Sequence, residues 1–400
     1  MNRHGGFSSQ MNENEPQLAG GAATANGDSR KTQALLVRLR PSGPWRFGSV
    51  TGEAHDVDSI YRSDSLYSAV SSAMATLGQM EEWLESTALA AVPEVRFTSC
   101  FPWQGEHLFV PPPASTWPPP SAKARFPSAS FVPAGVARRL TAGEVPEEGR
   151  WAVDPPSRCL VPAARSGASC GPFRIRVRSS AAVDRLTPGR NLAHRTACVE
   201  FAPGAGLWTL ATFAGEAARN RWREPVAAAF RLLADSGFGG RRSLGWGRSE
   251  QPEIEERFLE ELLPLDRPLK TEPPAEEAAP GLFDHIAIGG RKPSPPPPSK
   301  PAAEEEGRWW LLSLFCPDPS DALDWKAGNY RLIVRGGRVE GPMASGEPKR
   351  LVRMIAEGGV IRCERPPRGS APDVRPEGFP RPVLRYGHPV CVAMPSGVTA

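Results

Sequence analysis

Twelve residues past the middle of the chain, Gly237-Phe-Gly-Gly-Arg-Arg-Ser-Leu-Gly-Trp-Gly-Arg248, hold five glycines, three arginines and two aromatics. Glycine reaches positive φ without a Cβ penalty and lets a partner approach the backbone closely. Successive exposed N–H groups form an anion-binding concavity, and arginine adds forked donors suited to phosphate. Phe238 and Trp246 add rings of the kind that stack on bases. Such a segment is either a phosphate cradle for RNA or a nucleotide, or a permissive turn joining a helix to a strand. The preceding residues, Glu224–Asp235, read as a helix with Pro225 in its first turn. Val226, Phe230 and Leu233 lie along one face, and Gly237 fits the C′ position that ends it. A dinucleotide-binding turn needs the reverse order, strand then loop then helix. Gly240 and Gly245 have P-loop spacing, but Trp246-Gly247 stands where Lys-Ser/Thr is required. Both nucleotide folds are excluded.

The rest of the chain supplies partners for that helix and loop. Ala34–Arg40 reads as a strand, followed by a Gly/Pro turn over Pro41–Gly48. A helix starts at Ser63 or Asp64, which can cap it, and carries Leu66, Ala69/Val70, Ala73 and Leu77 as a stripe closed by Gly78. Residues 101–165 contain two Pro-Pro-Pro runs and read as a long insertion, with Leu108–Val110 a candidate strand. Phe173–Arg178 alternates Phe173, Ile175 and Val177 with Arg174, Arg176 and Arg178. That arginine row either tracks a phosphodiester backbone or pairs with acids on neighbouring strands. Ala197–Phe201 and Leu207–Phe213 flank Pro203-Gly-Ala-Gly206 as a hairpin, and a last strand falls near Ser249–Glu253. The order β-α-β-β-α-β with insertions predicts an α+β, ferredoxin-like (RRM-like) domain over residues 34–263. Residues 1–33 are expected to be a disordered tail, and 264–306, with Pro295–Pro298, a Pro-rich, acidic linker. Residues 307–400 form a second, smaller β-rich domain, for which a second ferredoxin-like unit is one reading. In it Tyr330–Glu340 reads as a hairpin turning at Gly336-Gly337.

With these pieces placed, the chain resembles the RAMP superfamily of CRISPR–Cas proteins, whose hallmark is a glycine loop between the second helix and last strand of a ferredoxin-like domain. Phe47-Gly48 with Ile60-Tyr-Arg-Ser-Asp-Ser-Leu-Tyr-Ser-Ala69 looks like a segment of the crRNA 5′-end-binding subunit of type III-A (Csm) complexes. Asp184-Arg185 with Asn191-Leu192 resembles that family's central arginine motif. Glu357-Gly-Gly-Val360 resembles its EGS segment, with Gly359 in place of Ser, and Arg385-Tyr-Gly387 its R-x-G signature. The resemblance implies a non-catalytic subunit that holds the 5′ tag of the crRNA. It also implies docking against the large signalling subunit and a backbone RAMP subunit, and a hairpin thumb at the edge of the guide–target duplex. By motif position it implies RNA contact along Gly237, Phe238, Gly239, Gly240, Arg241, Arg242, Ser243, Gly245, Trp246, Gly247 and Arg248. Ser63, Asp64, Arg185 and Asn191 are the expected flanking contacts, and the 111–165 insertion is the expected thumb region.

No catalytic, metal or cofactor residues are expected. His55, beside Asp56 and Asp58, is the candidate for a metal-independent crRNA-processing endoribonuclease, and His194 is next. Relatives of that kind carry the glycine loop near their C-terminus, whereas here a long segment follows it. The equivalent subunit of a Cmr-type complex is a further alternative. Seven scattered cysteines without a C-x-x-C pair oppose a disulfide framework or zinc site. With no bilayer-length apolar run and no signal-peptide core, the expectation is a cytoplasmic protein.

Overall fold

The computed structural model describes residues 31–48, 54–119, 126–163, 171–183, 191–262, 307–339 and 346–395. The expected linker and Arg185 lie outside them, as does the expected tail up to residue 30. The first part opens with β1 (Gln33–Leu39), α1 (Ser63–Thr76), α2 (Met80–Ser86), β2 (Val95–Phe97), β3 (Phe101–Gln104) and β4 (His107–Val110). Then come β5 (Val132–Pro133), α3 (Ala134–Thr141), β6 (Trp151–Val153), β7 (Leu160–Pro162), β8 (Phe173–Val183) and β9 (Asn191–Phe201). It closes with β10 (Ala205–Phe213), α4 (Glu216–Ser236), β11 (Glu253–Phe258) and α5 (Leu259–Leu262).

The main sheet runs β11-β1-β10-β3-β4-β5, with β2 also on β10. Taking β1, β2/β3, β10 and β11 as the four strands of a split βαβ unit gives the order 4-1-3-2, and β10 is antiparallel to its neighbours. This is the ferredoxin-like plan. β10 is buried throughout, covered on both faces. α4 packs Trp222, Val226, Phe230 and Leu233 inward and meets α1 and β1.

Four expectations change. α4 begins at Glu216, so Pro225 sits inside the helix rather than in its first turn. Tertiary contacts extend it: Trp222 donates to Glu94, and Arg219 and Arg223 pair with Glu256 on β11. β9 does not form a hairpin with β10. It pairs with β8 over eleven residues, from Phe173–Phe201 to Val183–Asn191, while β10 turns into the main sheet. The last strand is Glu253–Phe258, reached through a single bridge between Pro41 and Ser249. Among the described residues of the 111–165 region, Phe126, Phe131, Val132, Val136, Leu140 and Leu160 are buried in the main core rather than projecting as a thumb would. The ribbon that stands clear is β8–β9, where Arg174–Ala181 are exposed.

The C-terminal region contains β12 (Gly307–Leu311), β13 (Leu332–Arg335), β14 (Val352–Ile355), β15 (Val360–Cys363) and β16 (Cys391–Met394). Its sheets are β15-β12-β16 and β13-β14. The expected hairpin at Gly336-Gly337 is absent because β13 pairs with β14 instead. Among the described residues 307–395 the helical content is one short turn at Pro319–Asp321, so the region is β-rich. Thr32–Ala400 is one compact unit. Trp310, Leu312, Val360, Tyr386 and Val392 share a core with the main sheet, and the Tyr386 ring stacks on Tyr67 of α1 at 4.0 Å and 8°. No helix among the described residues is long and apolar enough to cross a membrane.

Candidate nucleic-acid interface

The glycine loop leaves α4 at Gly237, whose N–H still reaches Leu233 O at 2.9 Å while its φ of +76° ends the helix. The loop then folds back on itself and onto residues 41–48. Phe238 N–H donates to Gly247 O, Gly240 N–H to Arg46 O, and Gly247 N–H to Pro44 O. Two glycines are required by this crossing. A Cβ on Gly247 would lie 2.0 Å from Phe238 O, and one on Gly239 2.7 Å from Arg46 O, both at positive φ. Gly245 also has positive φ, but a Cβ there meets nothing within 4 Å, so this glycine faces open space.

Beneath the loop lies an aromatic box. Phe238 meets Trp45 edge-on at 4.6 Å and Tyr61 at 5.0 Å, and Tyr61 meets Phe47 at 5.5 Å. Phe238 is 2% exposed, so it packs the core and offers no ring to a base. That corrects one expected contact. Gly237 and Gly247 are buried too, whereas Arg241, Arg242, Ser243, Gly245 and Arg248 form the exposed rim with Trp246 half-buried. Among the described residues, neither Arg241 nor Arg248 makes an ion pair. Burial and the charge of Arg241 pull the Arg46 guanidinium below its ordinary value, so these two cations share one field. Arg46 itself is spent on structure: it donates to the carbonyls of Ala54 and Ala197, tying the loop platform to β9. Sequence reading missed Trp45, Arg46 and Tyr61 as its seat; the Gly/Pro turn at 41–48 is the signal that Trp45 and Arg46 carry.

The β8–β9 ribbon rises from the same platform, since Trp45 bridges Val199 and Ala197 N–H donates to Ala54 O. Arg174, Arg176 and Arg178 do line one face, and all three surround Glu200, at 3.4, 3.6 and 2.7 Å. Hydrogen bonds from Arg178 hold the Glu200 carboxyl below its ordinary value. Three cations against one anion leave this face positive. Ile175 and Val177 are about half exposed on the other face. Asn191 opens β9, but its side chain lies outside the described residues.

The side chains of Ser63 and Asp64 face the C-terminal region rather than the solvent expected of RNA contacts. Each is 1% exposed. The N-cap of α1 is Arg62, without a side-chain cap, so neither residue caps the helix either. Ser63 Oγ accepts from Leu314 N–H of the C-terminal region. Asp64 receives Arg335 on both oxygens, at 3.0 and 2.9 Å, and Arg385 at 2.6 Å. Burial alone would raise its pKa, but the two arginines outweigh burial and hold it below the ordinary value of 3.8. Beside it, Arg62 pairs with Asp58 at 2.7 Å and with Glu357, which also accepts from Ser99. The first trio carries one net positive charge and the second one net negative charge, and the two lie within each other's field. The cluster is therefore neutral as a whole, which is what makes enclosing it tolerable, with Arg62, Asp64, Glu357 and Arg385 buried and Asp58 and Arg335 at its edge.

Of the glycines in the same motifs, Gly358 serves this junction and Gly387 packs within the C-terminal region. A Cβ on Gly358 would lie 3.0 Å from Pro112 O, and one on Gly387 2.4 Å from Cys316 Cβ. His388, 4% exposed, binds Arg368 O through Nδ1, and burial lowers its pKa. His55 and His194 are exposed loop and ribbon residues. No group of three or more His, Cys, Asp or Glu among the described residues is arranged to hold a metal.

Residues 304–394 match the family model of the CRISPR Csm4 C-terminal domain. This region is similar to Csm4 C-terminal domains. The fold over the longer chain agrees with that. A chain of the Csm3-Csm4 subcomplex of the type III-A CRISPR-Cas interference complex matches at 15% identity and TM-score 0.54, covering 91% of this chain and 100% of that one. A chain of the Csm1-Csm4 cassette in complex with cA4 matches at 17% identity and TM-score 0.47, over 91% and 100% of the two chains. One of the type III-B Cmr-beta complex bound to cognate target RNA matches at 12% and 0.32, over 57% and 61%. A comparison with curated protein sequences gives no match. The chain is thus Csm4-like, with a ferredoxin-like first part and a β-rich C-terminal part.

Proposed function

We propose that this Csm4-like chain is a non-catalytic RNA-binding subunit of a type III CRISPR effector complex, and that it holds the 5′ tag of the crRNA. The observation that carries the reading is the rim of the glycine loop. Arg241, Arg242, Ser243 and Arg248 are exposed around the open Gly245, on a turn whose glycines are otherwise consumed by its own closure. Guanidinium groups suit phosphate, and Trp246, half-buried beside them, is the ring placed for stacking on a base. The β8–β9 ribbon, positive on one face and apolar on the other, takes the thumb role at the edge of the guide–target duplex. Both elements stand on Trp45 and Arg46, which sets one RNA path past loop and ribbon. A backbone RAMP subunit as partner is supported by the likeness to the Csm3-Csm4 subcomplex. The large signalling subunit is carried over from the resemblance of the motifs.

The test is salt-dependent binding of single-stranded repeat RNA. Replacing Arg241, Arg242 and Arg248 together with Ala removes three phosphate contacts and should shallow the log–log salt slope by about 2. An unchanged slope means that these arginines do not touch phosphate. The same RNA incubated with the protein without metal should stay intact. Site-specific cleavage that disappears in His55→Ala would replace this reading with the endoribonuclease. Co-purification with Cmr rather than Csm partners would reassign the complex type.

A further inference from the structure

The buried charge cluster and the glycine loop are joined by a short, fully packed path. Asp64 is fixed by Arg335 and Arg385, and its Oδ1 also accepts the Ser65 N–H at 2.7 Å. Arg335 Nη2 reaches Ser65 Oγ at 3.0 Å, so one guanidinium holds two successive residues of α1. Arg385 is itself held by Gly336 O at 2.6 Å. The first turn of α1 is thus pinned by the C-terminal region. Tyr61 stands just before that turn and donates its hydroxyl to Ser65 O at 3.2 Å. Its ring packs on Phe238 at 5.0 Å and lies 3.8 Å from where a Cβ of Gly239 would stand. That same Cβ, at φ +86°, would lie 2.7 Å from Arg46 O, and the next residue, Gly240, donates its N–H to Arg46 O at 2.8 Å, so the loop is fastened at this point. Arg241, the first exposed cation of the rim, follows two residues later.

We infer that Arg335 and Arg385 of the C-terminal region are positioning residues for the glycine loop, acting through Asp64, Ser65 and Tyr61 to set the place where Arg241 meets RNA. The inference rests on the RNA reading for its consequence, but the coupling itself is independent of any ligand. Lysine at 335 keeps the charge but donates from a single nitrogen, losing the fork whose Nε and Nη2 span the two Asp64 oxygens and Ser65 Oγ.

Two measurements on the full-length chain test this: amide hydrogen exchange, and binding of a fluorescein-labelled single-stranded repeat RNA. In Arg335→Lys, exchange at Phe238, Gly240 and Gly247 should quicken by about ten-fold, while amides of β12 and β15 keep their wild-type rates. RNA affinity should fall several-fold with its salt slope unchanged, since no phosphate contact is deleted. Exchange that is unaltered in the loop, or that rises equally in β12 and β15, overturns the coupling and leaves the cluster a plain stabiliser. If Arg335→Lys does not fold, Tyr61→Phe decides. It removes only the bond to Ser65 O and should move the same loop amides, more weakly; no movement refutes the inference. A wild-type chain that binds no RNA defeats the functional reading, while the exchange data still judge the coupling.

Discussion

Arginine does opposite work in two regions of this protein. At the loop rim, Arg241 and Arg248 are exposed and make no ion pair among the described residues. At the junction with the C-terminal region, buried Arg62 and Arg385 and the largely enclosed Arg335 pair with Asp58, Asp64 and Glu357. A guanidinium in water keeps its hydration and is available to a phosphate. A buried one has given its hydration up and is held by the partners that replaced it. Both sets sit in motif-like sequence, so residue type does not separate them. What separates them is whether the fold supplies carboxylates.

The sharpest way to break that contrast is Asp64→Ala. Two guanidinium groups would be left buried without their partner, and stability should drop by about 3–5 kcal/mol in a denaturant titration. A loss under about 1 kcal/mol would mean that water reaches the cluster and that the two regions differ less than the burial indicates. Next comes Gly247→Ala, where positive φ and a Cβ 2.0 Å from Phe238 O combine. It should cost about 2–4 kcal/mol, seen in the same titration. Gly245→Ala, with the same sign of φ but open space, should cost only about 1–2 kcal/mol, and equal costs would show that the loop closure is not the constraint. Arg241→Ala with Arg248→Ala should leave stability within about 0.5 kcal/mol of wild type while weakening RNA binding.

Acid should sharpen the contrast further. Asp64 has a folded pKa below its ordinary 3.8, so the unfolded chain binds the proton more readily than the folded one. Its contribution is complete above that value and is lost as pH falls through the lowered folded value. Stability measured between about pH 5 and pH 3 should therefore decline less steeply in Asp64→Asn than in wild type.

Much of the first part was legible because its signals are local. The strand at 34–40, the stripe of α1 and the helix–glycine loop order lead directly to the 4-1-3-2 sheet. Pairings over long separations were not. β9 and β10 look like a hairpin because a Pro-Gly-Ala-Gly turn lies between them, yet β10 is drawn away by the main sheet and β9 by β8. Gly336-Gly337 likewise marks a turn without a hairpin, since β14 wins the pairing. At the site, the exposed glycine and arginine rim was readable. The fate of Asp64 was not, because Arg335 and Arg385 stand 271 and 321 residues away. Phe238 carried a misleading signal: an aromatic between glycines suits a base or a core equally, and only the Trp45–Tyr61 box decides.

The β8–β9 ribbon has a mechanical consequence. It is fastened near its base, at Val199 and Ala197, and runs on from there for six residues to Asn191. At about 3.3 Å per residue that is an arm of roughly 20 Å. β9 passes through one tight turn into β10, the most enclosed strand of the sheet, so the arm's fulcrum is the rigid centre of the protein. A lever mounted this way converts a small tilt at Trp45 into a displacement of several ångströms at its tip, and a load on the tip is felt first at the platform under the glycine loop.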